Sequence, residues 1–262
     1  MQEVLFSDLG KMEYGAAWAF QEKLLDENVR IKSEWRLREE MGRDQTSNDQ
    51  TSNDQTSNDR ASSDRASTNQ PSTKHYLLFV EHPPVYTLGK SGHIENVLID
   101  ETQMKERGMQ FFRTNRGGDI TYHGPGQIVG YPVLDLEKFY TDIGRYLREL
   151  EEVVILLLAE YGIRGERSPG ETGVWIDPGI KGKERKICAI GVRCSRWITM
   201  HGFAFNVNTD LANFENIVPC GIQDKQVTSL EKEMGHAIPI EEVKQKLKRQ
   251  FGNVFGAELI GS

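Results

Sequence analysis

Three separated segments of this 262-residue chain hold residue types able to do chemistry. In IVPCGI, residues 217–222, a cysteine stands between a proline and a glycine. That setting reads as an accessible turn. A thiol can act there as a nucleophile, with backbone N–H groups near a developing oxyanion. Cys220 is the candidate, while Cys188 and Cys194 sit in strand-like surroundings where free cysteines are commonly inert and buried. In RKICAIGVR, residues 185–193, strand alternation places Lys186, Cys188, Ile190 and Val192 on one face. Lysines are seldom buried, so one lining a cleft points to function, whereas one at a strand edge simply reaches solvent. In RGGDITYHGPGQIVGYP, residues 116–132, Gly117-Gly118 and Gly124-Pro125-Gly126 permit close backbone approach to a ligand around Tyr122 and His123. The plainer account is two tight hairpin turns with a structural histidine. His201-Gly202 offers the same choice between a pocket wall and a strand end. No Gly-Lys-Ser/Thr phosphate loop, dinucleotide fingerprint, Cys-x-x-Cys pair or zinc-like histidine spacing is present, so no metal site is expected.

The elements that must position these residues are legible from periodicity. Residues 1–7 read as a strand and 14–28 as a helix with Trp18 and Leu25 among its apolar positions. HYLLFVEH (75–82) and residues 85–88 read as strands beyond and around Pro83-Pro84, and 109–135 alternate strands with glycine turns. Tyr146, Leu150, Val153, Leu157 and Tyr161 recur at helical spacing through 142–162, ending at Gly162. Three further strands follow between about 172 and 208, then a capping-box pattern TSLE at 228–231. Val243, Leu247 and Phe251 mark an amphipathic helix over 239–251. Helices and strands interleave without strict βαβ regularity, which predicts an α+β domain with a mixed sheet flanked by helices.

One stretch does not belong to this pattern. DQTSN occurs three times from Asp44, and DRASS and DRAST follow, so five pentapeptides run in tandem and their character continues to Ser72. Almost nothing there can be buried, and a segment of that kind cannot offset its ordering entropy. Residues 44–72 are expected to be a disordered low-complexity insertion within a single domain spanning 1–262. Without them the remaining 233 residues are about 41% hydrophobic, against 37% for the whole chain, which is closer to ordinary globular composition. A net charge of −7 argues against a nucleic-acid or anionic-membrane binder, and no apolar run is long enough to span a bilayer. The chain starts without a secretory pattern and has an odd number of cysteines, which predicts a cytoplasmic protein with reduced thiols.

Taken together, RGGDITYHGPGQ, KICAIG, HGFAFNVN, PCGI and the EHPPVYTLG segment (81–89) resemble the lipoyl(octanoyl) transferases, in that family's order and approximate spacing. The resemblance covers nearly the whole chain outside 44–72. It implies the fold shared by the biotin and lipoate protein ligase catalytic domains. It also implies cofactor-independent transfer of octanoyl from acyl carrier protein to the acceptor lysine of lipoyl domains, for lipoate biosynthesis. Those acceptors belong to 2-oxoacid dehydrogenase complexes and the glycine cleavage H protein, and the enzyme is expected to be a monomer. By position, Cys220 matches the family's acyl-accepting thiol and Lys186 its partner lysine. Arg116, Gly117, Gly118, Asp119, Ile120, Thr121, Tyr122 and His123 match one substrate-lining stretch. Ala189, Ile190 and Gly191 match a second, and Gly202, Phe203 and Ala204 a third. Cys188 departs from the pattern, standing where members commonly carry a small residue, and so places a second thiol near the site. Between Lys181 and Arg196 the chain is locally +5, a stretch suited to docking acidic carrier and lipoyl domains. The rival readings are an ATP-dependent ligase, a Cys–His thioesterase using His123 or His201, and a lipid-binding module without catalysis.

Overall fold

The computed structural model describes residues 1–48, 72–218 and 226–261. The main sheet has eight strands, seven of them in the order β10-β8-β9-β6-β2-β1-β11, with β7 paired to β8. These are β1 (Gln2–Lys11), β2 (His75–Glu81), β6 (Gln127–Val133), β7 (Val174–Ile176), β8 (Arg185–Ser195), β9 (Ile198–Asn206), β10 (Gln226–Val227) and β11 (Ala257–Ile260). The centre, β8-β9-β6-β2, is antiparallel, whereas β1 runs parallel to both β2 and β11. A small second sheet, β4-β3-β5, is built from β3 (Val85–Leu88), β4 (Gln110–Arg113) and β5 (Ile120–His123). The expected α+β mixed sheet with flanking helices is the observed architecture.

Each face of the main sheet is closed by a helical layer whose apolar stripe the sequence already marks. On one face lie α3 (Ile143–Ala159) and α5 (Ile240–Phe255). Tyr146, Leu150, Val153 and Leu157 of α3 are fully buried against Val243, Leu247 and Phe251 of α5 and the strand residues Phe79, Phe205 and Ile187. Asp142 starts α3 by accepting the Arg145 N–H at 2.9 Å. On the other face, Ala17, Leu24 and Leu25 of α1 (Tyr14–Asn48) pack on Leu78, Val80, Val129 and Met200. The small sheet and α2 (Glu101–Glu106) form a third apolar cluster beside α1 with Tyr86, Leu88, Met104 and Tyr122.

Two elements differ from expectation. The first helix continues past residue 28 to Asn48 and so takes in the first pentapeptide, residues 44–48. The remainder of the expected insertion up to residue 71 lies outside the described residues. Long-range polar contacts carry the helix onward. Asn28 exchanges two hydrogen bonds with the Lys74 backbone, at 2.8 and 3.0 Å. Lys32 is 1% exposed, and its ammonium reaches Asp135 at 2.7 Å and Glu137 at 2.9 Å. The second difference is at α4 (Leu230–Met234), which is capped by Ser229, not Thr228. Ser229 accepts from Lys232 N–H at 3.2 Å, while the Thr228 hydroxyl donates to Glu233. No helix among the described residues is long and apolar enough to cross a membrane.

Candidate active site

A cavity of about 850 Å³ lies between the main sheet and the small one. Its main-sheet side is made from small residues. Ala189 and Gly191 of β8 pair with Ala204 and Gly202 of β9, and Ala204 pairs in turn with Val129 of β6. Ile190 and Phe203 add apolar surface. Such a wall offers apolar area without filling the volume above it. Gly202 is required by the sheet itself, since a Cβ there would lie 2.1 Å from the Gly130 carbonyl oxygen. The opposite side is formed by Ile120, Thr121 and His123 of β5 and by Arg116, Gly118 and Asp119 just before it. Of the stretches matched by resemblance, Gly117 and Tyr122 do not line the cavity. Gly117 donates its N–H to Val192 O at 2.9 Å, docking the loop on β8. Tyr122 points into the apolar cluster, edge-on to Phe214.

Lys186 lines this cavity, but not through the face that simple alternation assigns it. Against β7, Trp175 pairs with Lys186 and Val174 pairs with Cys188, so Ile187 is an extra residue on β8. This irregularity resets the alternation. Ile187 and Cys188 are both fully buried in the core, and Lys186 joins Ala189 and Gly191 along the cavity. Cys188 is thus not a second thiol at the site. Its Sγ–H faces Ala189 O at 3.6 Å, and burial pushes the thiol far above its usual range. The Lys186 ammonium sits 4.5 Å from the centre of the Trp175 ring.

Cys220 lies outside the described residues, in the span 219–225. The chain on either side of that span is anchored beside the cavity. Val218 N–H donates to Asn96 O at 2.8 Å, and Val227 of β10 pairs with Lys186; Asn96 and Val227 both line the cavity.

The two candidate histidines are built into the walls. The Thr228 carbonyl can only accept, and this sets the polarity of a buried chain of hydrogen bonds back through Asn206, Gln127 and His123. Arg116 donates to the Thr87 hydroxyl at 3.0 Å, and that hydroxyl donates to His123 Nε2 at 3.3 Å. His123 Nδ1–H then donates to Gln127 Oε1 at 2.8 Å, Gln127 Nε2 to Asn206 Oδ1 at 2.9 Å, and Asn206 Nδ2 to Thr228 O at 3.0 Å. Thr228 N–H closes onto Lys186 O at 2.9 Å. Burial drives the His123 pKa well below 6.5, and both ring nitrogens are occupied. His201 has a left-handed backbone (φ 58°) inside β9, held by Gln21 at its N–H and Asn115 at Nε2. Burial lowers its pKa to about 3. Burial disfavours the protonated form of both imidazoles.

Sequence reasoning passed over Gln127 and Asn206, although both stand inside the quoted motifs. Their signal is a polar side chain at a strand position with buried neighbours. Tyr14 at the start of α1 and the 170–172 loop also line the cavity. The basic run divides. Arg185 is held bidentately by Glu233 and also by Asp177, and Arg193 faces Glu22 at 3.7 Å. Lys181 and Lys183 are exposed near one end of β8, while Arg196 lies beyond the other end, roughly 33 Å away along the strand. The +5 stretch is therefore not one continuous docking patch. Among the described residues, no group of three or more His, Cys, Asp or Glu side chains is placed to hold a metal ion.

The chain is similar to known proteins in family, sequence and fold. Residues 61–252 match the family model for the lipoyl protein ligase A/B catalytic domain. The chain is 52% identical over 259 residues to an octanoyltransferase of Christiangramia forsetii, an alignment covering 98% of each chain. It is 50% identical over 260 residues to an octanoyltransferase of Flavobacterium johnsoniae, with 99% of each covered. Among solved structures, it resembles the bipartite lipoate protein ligase of Thermoplasma acidophilum (TM-score 0.63, 19% identity, all of this chain and 87% of that one). It also resembles a lipoate-protein ligase A bound with ATP (TM-score 0.62, 17% identity, all of this chain and 90% of that one). At those identities the structural likeness establishes the fold, which is that of the lipoate ligases.

Proposed function

The chain belongs to the lipoyl protein ligase A/B catalytic-domain family, and from that premise we propose that it is an octanoyltransferase of lipoate biosynthesis. In this reading it takes octanoyl from acyl carrier protein, holds it as a thioester on Cys220 and delivers it to the acceptor lysine of a lipoyl domain. The observation that carries the proposal is Lys186 on a cavity whose sheet wall is reduced to Ala189, Gly191, Gly202 and Ala204. A cation and a smooth apolar wall in one cavity suit an acyl thioester, whose reacting carbonyl is polar and whose tail is not.

A free thiol with pKa about 8.5 is only about 3% thiolate at pH 7. Lowering it by about 1.5 units makes it half ionised, which takes roughly 2 kcal/mol. A single ammonium in a partly dry pocket supplies an effect of that size. The Cys220 thiolate attacks the octanoyl thioester carbonyl, a new S–C bond forms, and the carrier's phosphopantetheine thiolate leaves and takes up a proton. Exchange of one thioester for another is nearly isoenergetic, so no nucleotide is consumed. The acceptor lysine amine then attacks the acyl-Cys220 carbonyl. Its proton passes by way of Lys186 to the departing thiolate. Thioester to amide is downhill and completes the transfer. Each methylene buried along the sheet wall contributes about 0.8 kcal/mol, so the cavity can favour a medium-length chain.

Intact-protein mass spectrometry tests this directly. Octanoylated carrier without nucleotide should leave one acyl adduct on the enzyme, absent in Cys220→Ser, and adding apo lipoyl domain should move it to a lysine amide. A requirement for ATP, or an adduct that persists in Cys220→Ser, overturns the reading.

A further inference from the structure

We propose that Trp175 is a positioning residue for Lys186, holding its ammonium by a cation–π contact in the pose used for acyl transfer. The inference rests on the function proposed above and goes beyond it by assigning the group that sets the lysine.

The backbone brings the pair together with little freedom. Trp175 exchanges hydrogen bonds with Glu166 on one side, at 2.8 and 2.9 Å, and pairs with Lys186 on the other. The irregularity at Ile187 turns Lys186 onto the cavity side, where its Nζ lies 4.5 Å from the Trp175 ring centre. That is within the distance at which an ammonium is attracted by an indole face, the strongest of the aromatic partners. Trp175 is 3% exposed, while Lys186 is half-buried and faces the cavity.

The lysine stem runs beside Gly173. Gly173 has φ 119°, and a Cβ there would fall 2.5 Å from Cys188 O and 3.5 Å from Lys186 Cε. A side chain at 173 would therefore meet the Cys188 carbonyl, while the lysine stem passes this glycine at ordinary contact distance. Its N–H is fixed at 3.0 Å by Glu151, a fully buried carboxylate that also receives Arg148 and Arg167.

The test uses the full chain with octanoylated carrier and apo lipoyl domain. Fluorinated tryptophans withdraw charge from the indole face with little change in size, so a packing role is insensitive to them. Replacing tryptophan by mono-, di- and trifluoro analogues should lower kcat stepwise while KM for the carrier stays nearly constant. The same series in a Trp175→Phe chain, which keeps a weaker aromatic face, should be flat. Trp175→Leu should lose about tenfold in kcat, and Trp175→Phe should recover most of it. A flat series in the unsubstituted chain overturns the assignment, as does a Trp175→Leu chain that keeps its kcat and shows only a lower melting temperature. If the unsubstituted chain transfers no octanoyl at all, the functional reading fails as well, so the two failures are told apart in one assay.

Discussion

His123 donates its Nδ1–H to Gln127 Oε1 across 2.8 Å, and this bond is the middle link of a buried chain running from Arg116 to the backbone beside Lys186. The Thr228 carbonyl fixes the sense of the amides and so the tautomer of the imidazole, and burial keeps the ring neutral. Gln127→Leu would leave the His123 N–H and Asn206 Oδ1 without partners. Stability should fall by roughly 3 kcal/mol, read as a lower urea midpoint with an unchanged slope. A change below about 0.5 kcal/mol would show that the chain is not held as described.

Acid should destabilise the protein before its carboxylates titrate. Burial lowers the pKa of His75 and His82 to about 4 and that of His201 to about 3. The unfolded chain takes up these protons near pH 6.5, whereas the folded chain refuses them until about pH 4 or below. Unfolding therefore binds protons between those values. Stability present above pH 6.5 is lost progressively as pH falls, on the order of 3 kcal/mol per histidine by pH 4. Urea midpoints taken at pH 7, 6 and 5 should decline, and His82→Gln should flatten part of the slope. Equal midpoints at pH 7 and 5 would refute it.

The small-residue wall can be tested by filling it. Ala189→Leu places a branched side chain in the cavity without disturbing a glycine contact. Transfer of octanoyl relative to butanoyl should drop by about tenfold or more, since a blocked methylene site discriminates at that scale. Gly202→Ala should behave differently, because its Cβ would meet the Gly130 carbonyl and not substrate. Loss of stability with unchanged chain-length preference is expected there. Competition between the two acyl donors, with thermal melts of both variants, separates these outcomes.

Lys32 and Asp135 form a nearly dry ion pair joining α1 to the turn after β6. Removing only the cation strands a buried carboxylate. Lys32→Met should therefore cost about 3–5 kcal/mol, and Lys32→Met with Asp135→Asn should recover part of it. Denaturation curves of the two variants provide the comparison, and equal stability of the pair would contradict the buried-charge account.

Much of the frame is readable from local pattern alone. Tyr146, Leu150, Val153 and Leu157 announce α3, and Val243, Leu247 and Phe251 announce α5, because each stripe repeats within its own helix. The length of α1 is not readable this way. Past Asn28 it is secured by Lys32 meeting Asp135, more than a hundred positions away. The face taken by Lys186 is missed for a related reason: the alternation is broken by the pairing of β8 with β7, which no residue within β8 signals. Arg116, Lys186 and the Ala189–Ala204 wall stand in recognisable motifs, whereas the partnership of Gln127 with Asn206 spans 79 positions and emerges only once the strands are side by side.

The long first helix also bears on how this gene can change. Tyr14 borders the cavity, and Asn48 lies about 50 Å farther along the same axis, beyond the exposed Leu37 and Met41. Tandem coding repeats gain and lose units readily by replication slippage, and here such edits enter the chain at the far end of this helix. Tract length can then drift between lineages under weak selection while the catalytic body stays constant. For the engineer, the same tip is a permissive place to graft a tag or a second domain.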